Sequence, residues 1–127
     1  MADKRVALVT GASRGAGAGV ARGLGELGYT VYVTGRTKVP GDAKGWDGTV
    51  LPGTFEETAA QITALGGHGI GVACDHKDDA QVAALFEQIM AEQGRLDMLV
   101  NNATFIHHQL IEKKPFWEKE LDAVNIL

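Results

Sequence analysis

Cysteine is almost absent from this sequence, and that alone closes off several classes of protein. One cysteine, Cys74, in 127 residues rules out an internal disulfide and fits a reducing cytoplasm, the expected location. No long apolar run occurs, and Met1-Ala2-Asp3-Lys4-Arg5 leads straight into a strand pattern. Neither a signal peptide nor a membrane span is expected. A basic cluster is lacking too, and the net charge of −4 argues against nucleic acid as a partner. His107-His108, with His68 and His76 elsewhere, have no carboxylate or cysteine cluster at ligand spacing, so they read as polar loop residues and no metal is expected. Cys74 has no indicated partner base and is expected to be buried rather than nucleophilic.

Glycine, by contrast, is plentiful. Its 17 residues are about twice average usage, and many fall at junctions between strand and helix patterns. Short apolar, largely β-branched runs at Val6–Thr10, Thr30–Thr34, Gly69–Cys74 and Leu96–Asn101 predict four strands. Helical periodicity fills the intervals. Gly17–Leu27 carries Val20, Leu24 and Leu27 and stops at Gly28; Phe55–Leu65 carries Phe55, Ala59, Ile62 and Leu65 and stops at Gly66-Gly67. Ala80–Gln93 shows Val82, Leu85, Phe86, Ile89 and Met90, ending at Gly94, and Pro115–Leu127 is a further helix candidate.

Alternating strands and helices imply parallel strands, right-handed crossovers and cover on both faces. The expected class is α/β: the first half of a Rossmann-like, doubly wound parallel sheet with strand order 3-2-1-4. Thr37–Pro52 breaks the rhythm with Pro40, Gly41, Gly45, Trp46, Gly48 and Pro52, and reads as an inserted loop spanning about residues 37–53. Thr54 then offers a helix N-cap, with Glu57 completing a capping box.

Directly behind the first strand stands Thr10-Gly11-Ala12-Ser13-Arg14-Gly15-Ala16-Gly17. A buried strand feeding a glycine-rich turn that opens a helix lets backbone approach a pyrophosphate. Gly11 can take the tight turn, Gly15 leaves room for phosphate, and Gly17 lets helix and strand pack closely. The second strand ends Thr34-Gly35-Arg36, without the carboxylate that suits a free ribose 2′-hydroxyl. Arg36 and Arg14, with Lys38 adding charge, can instead pair with a 2′-phosphate, so NADP(H) is expected over NAD(H). The plainer alternative makes both arginines solvated surface residues. Asp75 closes the third strand at the end where such sheets bind ligands, and its plainer alternative is an acid favoured by the dipole of the following helix.

Thr10–Gly17, the Cys74-Asp75 pair and Gly94-Arg95-Leu96-Asp97-Met98-Leu99-Val100-Asn101-Asn102-Ala103 together resemble the short-chain dehydrogenase/reductase family, from Val6 to the end of the chain. The insertion and Pro115-Phe116-Trp117-Glu118 resemble its branch called dehydrogenase/reductase family member 1. The resemblance implies that Asp75 accepts a hydrogen bond from the adenine amino group, and that Asn101, Asn102 and Ala103 line the cofactor's ribose and steady the sheet. Thr104 stands where the family usually has glycine, and Ala16 where it commonly has isoleucine; Asp97 reads as structural.

The family's proton donor is a tyrosine followed four residues later by lysine and preceded by a serine. Here Tyr29 and Tyr32 are followed at that distance by Val33 and Arg36. The resemblance therefore implies catalytic residues past position 127, with Asn125 the one candidate catalytic position within the chain. Residues 1–127 are then expected to form an incomplete NADP-binding domain that self-associates or needs its missing half. A full-length relative would move hydride between NADPH and a small carbonyl or alcohol carbon. The rival expectation is a dinucleotide-binding or regulatory fragment that does no chemistry.

Overall fold

A computed structural model describes residues 5–36, 50, 53–104 and 113–118. Four strands and three helices are found among them: β1 (Val6–Val9), α1 (Gly15–Glu26), β2 (Thr30–Gly35), α2 (Phe55–Ala64), β3 (His68–Ala73), α3 (Asp79–Gln93) and β4 (Met98–Val100). All pairings are parallel and the order is β3-β2-β1-β4. Val9 of β1 lies level with Val33 of β2 and Val100 of β4, which brings the carboxyl ends of the strands together.

The two faces of the sheet are sorted by alternation along each strand. Ala7, Val9, Val31 and Val33 pack with Ala21 and Leu24 of α1 and with Ala59 and Ile62 of α2. Val6, Leu8 and Tyr32 face the other way, onto Leu85 and Ile89 of α3. Burying each of those last two side chains contributes about 1.5–3 kcal/mol. β3 shows the sidedness in its simplest form. Ile70 and Val72 join the α3 side, whereas on the α2 side a Cβ at Gly71 would come 3.0 Å from the Phe55 ring and one at Gly69 would collide with the Ala59 carbonyl. Helix α2 thus rests almost directly on strand backbone.

Helix α1 begins at Gly15, two residues earlier than its apolar pattern implies, and packs through Gly17, Ala18, Ala21, Leu24 and Gly25. Val20 and Leu27, expected on the buried stripe, are 42% and 66% exposed. Small residues win this face because α1 approaches α2 closely: a Cβ at Gly25 would stand 3.0 Å from the Ile62 side chain. Thr54 caps α2 as expected, accepting the Glu57 N–H at 3.1 Å. Asp78 caps α3, accepting from the Ala80 and Gln81 amides, with Asp75 three residues ahead of it.

β4 is shorter than the Leu96–Asn101 expected for it. At its start the Asp97 N–H donates to the Val6 carbonyl at 2.8 Å, while the Asp97 carboxylate takes the Val6 N–H at 2.8 Å and closes the ladder. The Arg95 guanidinium at 2.6 Å, then that amide, hold the Asp97 carboxyl below the usual carboxylate range, in keeping with a structural role. Of the helix candidate Pro115–Leu127, the described part is a 3-10 turn over Phe116–Glu118; the rest lies outside the described residues, as do Lys38, His107, His108, Asn125 and nearly all of the expected loop over 37–53. Among the described residues no helix is long and apolar enough to cross a membrane, and no group of three or more potential metal ligands occurs.

Candidate cofactor site

The chain runs outward from β1 to β2 and β3, then returns across to β4 on the far side of β1. Open parallel sheets take ligands at such a reversal, outside the carboxyl ends of the strands. Thr10-Gly11, Gly35-Arg36, Cys74-Asp75 and Asn101-Asn102-Ala103 all stand at those ends.

Thr10 ties two of them together. Its buried hydroxyl accepts the Asn102 and Ala103 N–H groups, each at 3.0 Å, and donates to the Val100 carbonyl at 3.3 Å. The Asn102 side-chain amide reaches back to the Gly11 carbonyl at 2.9 Å. Gly11 has φ +65°, and a Cβ there would sit 2.9 Å from the Ala103 Cα. Only glycine meets both conditions without strain. The side-chain contacts described for Thr10 and Asn102 thus go to protein backbone and join the turn to the end of β4.

Beyond Gly11 the turn leans on β2. The Ala12 N–H donates to the Thr34 carbonyl at 2.8 Å and the Gly11 N–H to the Thr34 hydroxyl at 3.2 Å. Ser13 is buried against Gly35, whose position admits no side chain beside the Ser13 hydroxyl. The Arg14 guanidinium donates to the Gly53 carbonyl at 3.4 Å, linking the turn to the entry of α2.

At the start of α1 the pattern of caps changes. Arg14 occupies the N-cap without a side-chain cap, and the first turn holds no acid, whereas α2 and α3 have Thr54 and Asp78 as caps and acids in their first turns. A helix start of this kind, with a positive dipole end and no side-chain cap, suits an anion. Gly15 (φ +62°) and Ala16 are exposed there, and a Cβ on Gly15 would meet no described atom within 4 Å.

Arg36 is exposed at the end of β2 and Asp75 half-buried after β3. The Asp75 carboxylate accepts the Lys77 N–H at 3.1 Å, and its own N–H donates to the Gln81 side chain at 2.8 Å, so the turn holds it in place. Cys74 is buried beside it. Burial, then the charges of Asp75 and Asp78, push its thiol pKa up and away from the reactive thiolate. Tyr32 is fully buried with its hydroxyl engaged by Glu92 at 3.0 Å and Gln93 at 3.2 Å, a tie between β2 and α3 away from the turn.

The sequence profile of the short chain dehydrogenase family matches residues 5–126. The chain belongs to that family. Among curated short-chain dehydrogenases it is 41% identical over 117 residues to Dehydrogenase/reductase SDR family member 1 of Mus musculus, a match covering 90% of this chain and 33% of that protein. The chain thus spans about a third of the length of that relative. A metagenomic short-chain oxidoreductase crystallised in complex with NADP is 36% identical, with a TM-score of 0.66 over 82% of this chain and 41% of that one. A dehydrogenase from Xanthomonas campestris is 31% identical, with a TM-score of 0.70 over 82% of this chain and 36% of that one.

Within this short-chain dehydrogenase chain the structure gathers Thr10, Gly11, Ser13, Arg14, Gly15, Ala16, Gly17, Asn101, Asn102 and Ala103 around one corner, with Arg36 and Asp75 at the ends of the neighbouring strands. Three residues that hold this corner are not among the expected site residues: Thr34 accepts from the Gly11 amide, Gln81 accepts from the Asp75 amide, and the His76 ring lies against the Thr34 hydroxyl. Thr34 is one of the residues of the Thr30–Thr34 strand pattern, and no motif singles out Gln81. His76, expected as a polar loop residue, is half-buried after β3. A hydroxyl at the penultimate strand position beside a glycine-rich turn is the signal that could have flagged Thr34.

Proposed function

We propose that this chain is the cofactor-binding part of an NADP(H)-dependent short-chain oxidoreductase acting on a small carbonyl or alcohol substrate. The observation that carries the preference is Arg36, exposed directly after Gly35 at the end of β2, where a 2′-hydroxyl binder would place an acid. Arg14, within the turn, adds a second guanidinium. The uncapped start of α1 fits the pyrophosphate, with Thr10, Gly11, Ser13, Gly15, Ala16 and Gly17 forming the cradle around it. Asp75 would accept from the adenine amino group, and Asn101, Asn102 and Ala103 would border the ribose. When bound, the nicotinamide gives or takes a hydride; the chain's own share described here is to bind and orient.

Replacing Arg36 with aspartate is expected to erase or reverse the preference for NADP(H), by about 1–3 kcal/mol for a lost charge-assisted bond. Calorimetric titration with both cofactors checks this. Equal affinities in the unmodified chain, or tighter NAD(H), would refute the proposal.

The outer edge of β4 supports a second expectation, self-association. Among the described residues β4 is the edge strand, with Met98 38% and Leu99 44% exposed. Unpaired backbone beside apolar side chains recruits further strands. Light scattering on the chain at micromolar concentration is expected to show assemblies. A sharp monomer peak with a cooperative melt would show that the edge is protected.

A further inference from the structure

We propose that His76 is a positioning residue for the glycine-rich turn, acting through the Thr34 hydroxyl on the Gly11 amide. His76 follows Asp75 at the end of β3, and its Nε2 lies 2.7 Å from Thr34 Oγ1. Thr34 is fully buried, and the Gly11 N–H points at the same oxygen from 3.2 Å. A threonine hydroxyl has one hydrogen to give and two lone pairs to receive. Gly11 uses a lone pair. The hydroxyl hydrogen, shut away from water, needs an acceptor, and among the contacts described for Thr34 Oγ1 only the His76 Nε2 lone pair can be one.

That accounting selects the neutral imidazole with its proton on Nδ1. Burial pulls the His76 pKa below its ordinary value, with the Asp75 charge acting the other way, so the neutral form prevails at neutral pH. The order of the three groups then runs from imidazole to hydroxyl to turn. With Nε2 as acceptor, the hydroxyl hydrogen is directed towards β3 and the oxygen's free lone pair towards Gly11. Take the acceptor away and the hydroxyl is free to rotate, and the Gly11 N–H loses a held partner. Since Gly11 leads the turn into the uncapped start of α1, its order governs how well the amides there are arranged for an anion. This last step rests on the dinucleotide reading above; the tautomer and the order of the turn do not.

Three measurements on the chain test it. Nitrogen-15 NMR of the histidine-labelled, ligand-free protein is expected to show His76 as the Nδ1–H tautomer. Hydrogen–deuterium exchange across the Gly11 peptide is expected to speed up in His76→Phe, and to return towards normal in His76→Gln, whose amide oxygen can accept from Thr34. Binding of NADP+ by calorimetry is expected to weaken in His76→Phe by about tenfold, the scale of one hydrogen bond, and to be rescued by His76→Gln. A proton found on Nε2, unchanged exchange at Gly11 in His76→Phe, or no rescue by a folded His76→Gln would overturn the proposal. If His76→Phe does not fold, the tautomer and the exchange in Thr34→Val decide: Gly11 exchanging as slowly there as in the unmodified chain also overturns it. Failure of the unmodified chain to bind NADP+ would instead sink the dinucleotide reading, while tautomer and exchange still judge His76.

Discussion

Thr10→Val is expected to destabilise the chain by about 2–4 kcal/mol, through two backbone donors losing their acceptor at once. Valine has nearly the shape of threonine, so packing against β1 and β4 is retained and the loss isolates the hydroxyl. That hydroxyl accepts the Asn102 and Ala103 N–H groups and bonds the Val100 carbonyl. Ala103 is exposed, so water can replace part of its bond; Asn102 is half-buried and has less recourse. The damage should spread to function, because the Asn102 amide grips the Gly11 carbonyl and an untethered Asn102 releases the turn. Denaturant midpoints measure the stability change, and NADP+ titration the accompanying loss of affinity. Thr10→Ser, which keeps the oxygen, is expected to recover most of both. A valine variant within about 0.5 kcal/mol of the unmodified chain would show that solvent replaces all three bonds.

The fold was legible because its signals are local. Four β-branched runs punctuated by glycine and three periodic stretches are enough for an alternating order, and alternation allows few topologies. Strand order 3-2-1-4 therefore followed with little freedom. The proposed site is written in consecutive residues at Thr10–Gly17, where the glycine pattern marks it, and at Asn101–Ala103, where the family resemblance does. What escaped is written across the fold. Thr34 and His76 are 42 residues apart and meet because β2 and β3 are neighbours, a contact that neither residue announces. The packing face of α1 differs from its apolar pattern because apolarity marks burial only where space allows a large side chain. Close approach to α2 and the sheet favours Ala18, Ala21 and Gly25, and leaves Val20 and Leu27 outside. In β3 the same logic hides the face that meets α2 behind Gly69 and Gly71, which carry no side chain to mark it. β4 starts late for a different reason: before Met98 the Asp97 side chain substitutes for backbone, and a strand pattern does not report that.

Gly17→Ala is the other substitution expected to act strongly, and its meaning comes from comparison with two glycines on the same helix. In isolation alanine is the better helix former by about 1 kcal/mol, so glycine looks like a defect at every position of α1. At Gly17 the added Cβ would lie 2.5 Å from the Gly11 carbonyl oxygen and 2.6 Å from the Asn102 side-chain nitrogen, with the Ala12 Cα at 3.2 Å. Those first two atoms are partners in one hydrogen bond, so the methyl would wedge apart the contact that joins the turn to the β4 corner. Neither atom sits at the end of a freely rotating chain. Overpacking of this kind costs about 1–3 kcal/mol after relaxation, enough to outweigh the gain in helix propensity. At Gly19 and Gly23 a Cβ would meet no described atom within 4 Å, and both are exposed. There the propensity term stands alone, and alanine is expected to stabilise by about 0.5–1 kcal/mol at each. Thermal or chemical melts of the three single variants should therefore move in opposite directions, with Gly17→Ala also losing NADP+ affinity and the other two retaining it. If Gly17→Ala proves as stable and as tight a binder as Gly19→Ala, the close approach of α1 to the Gly11 carbonyl is not what shapes this turn.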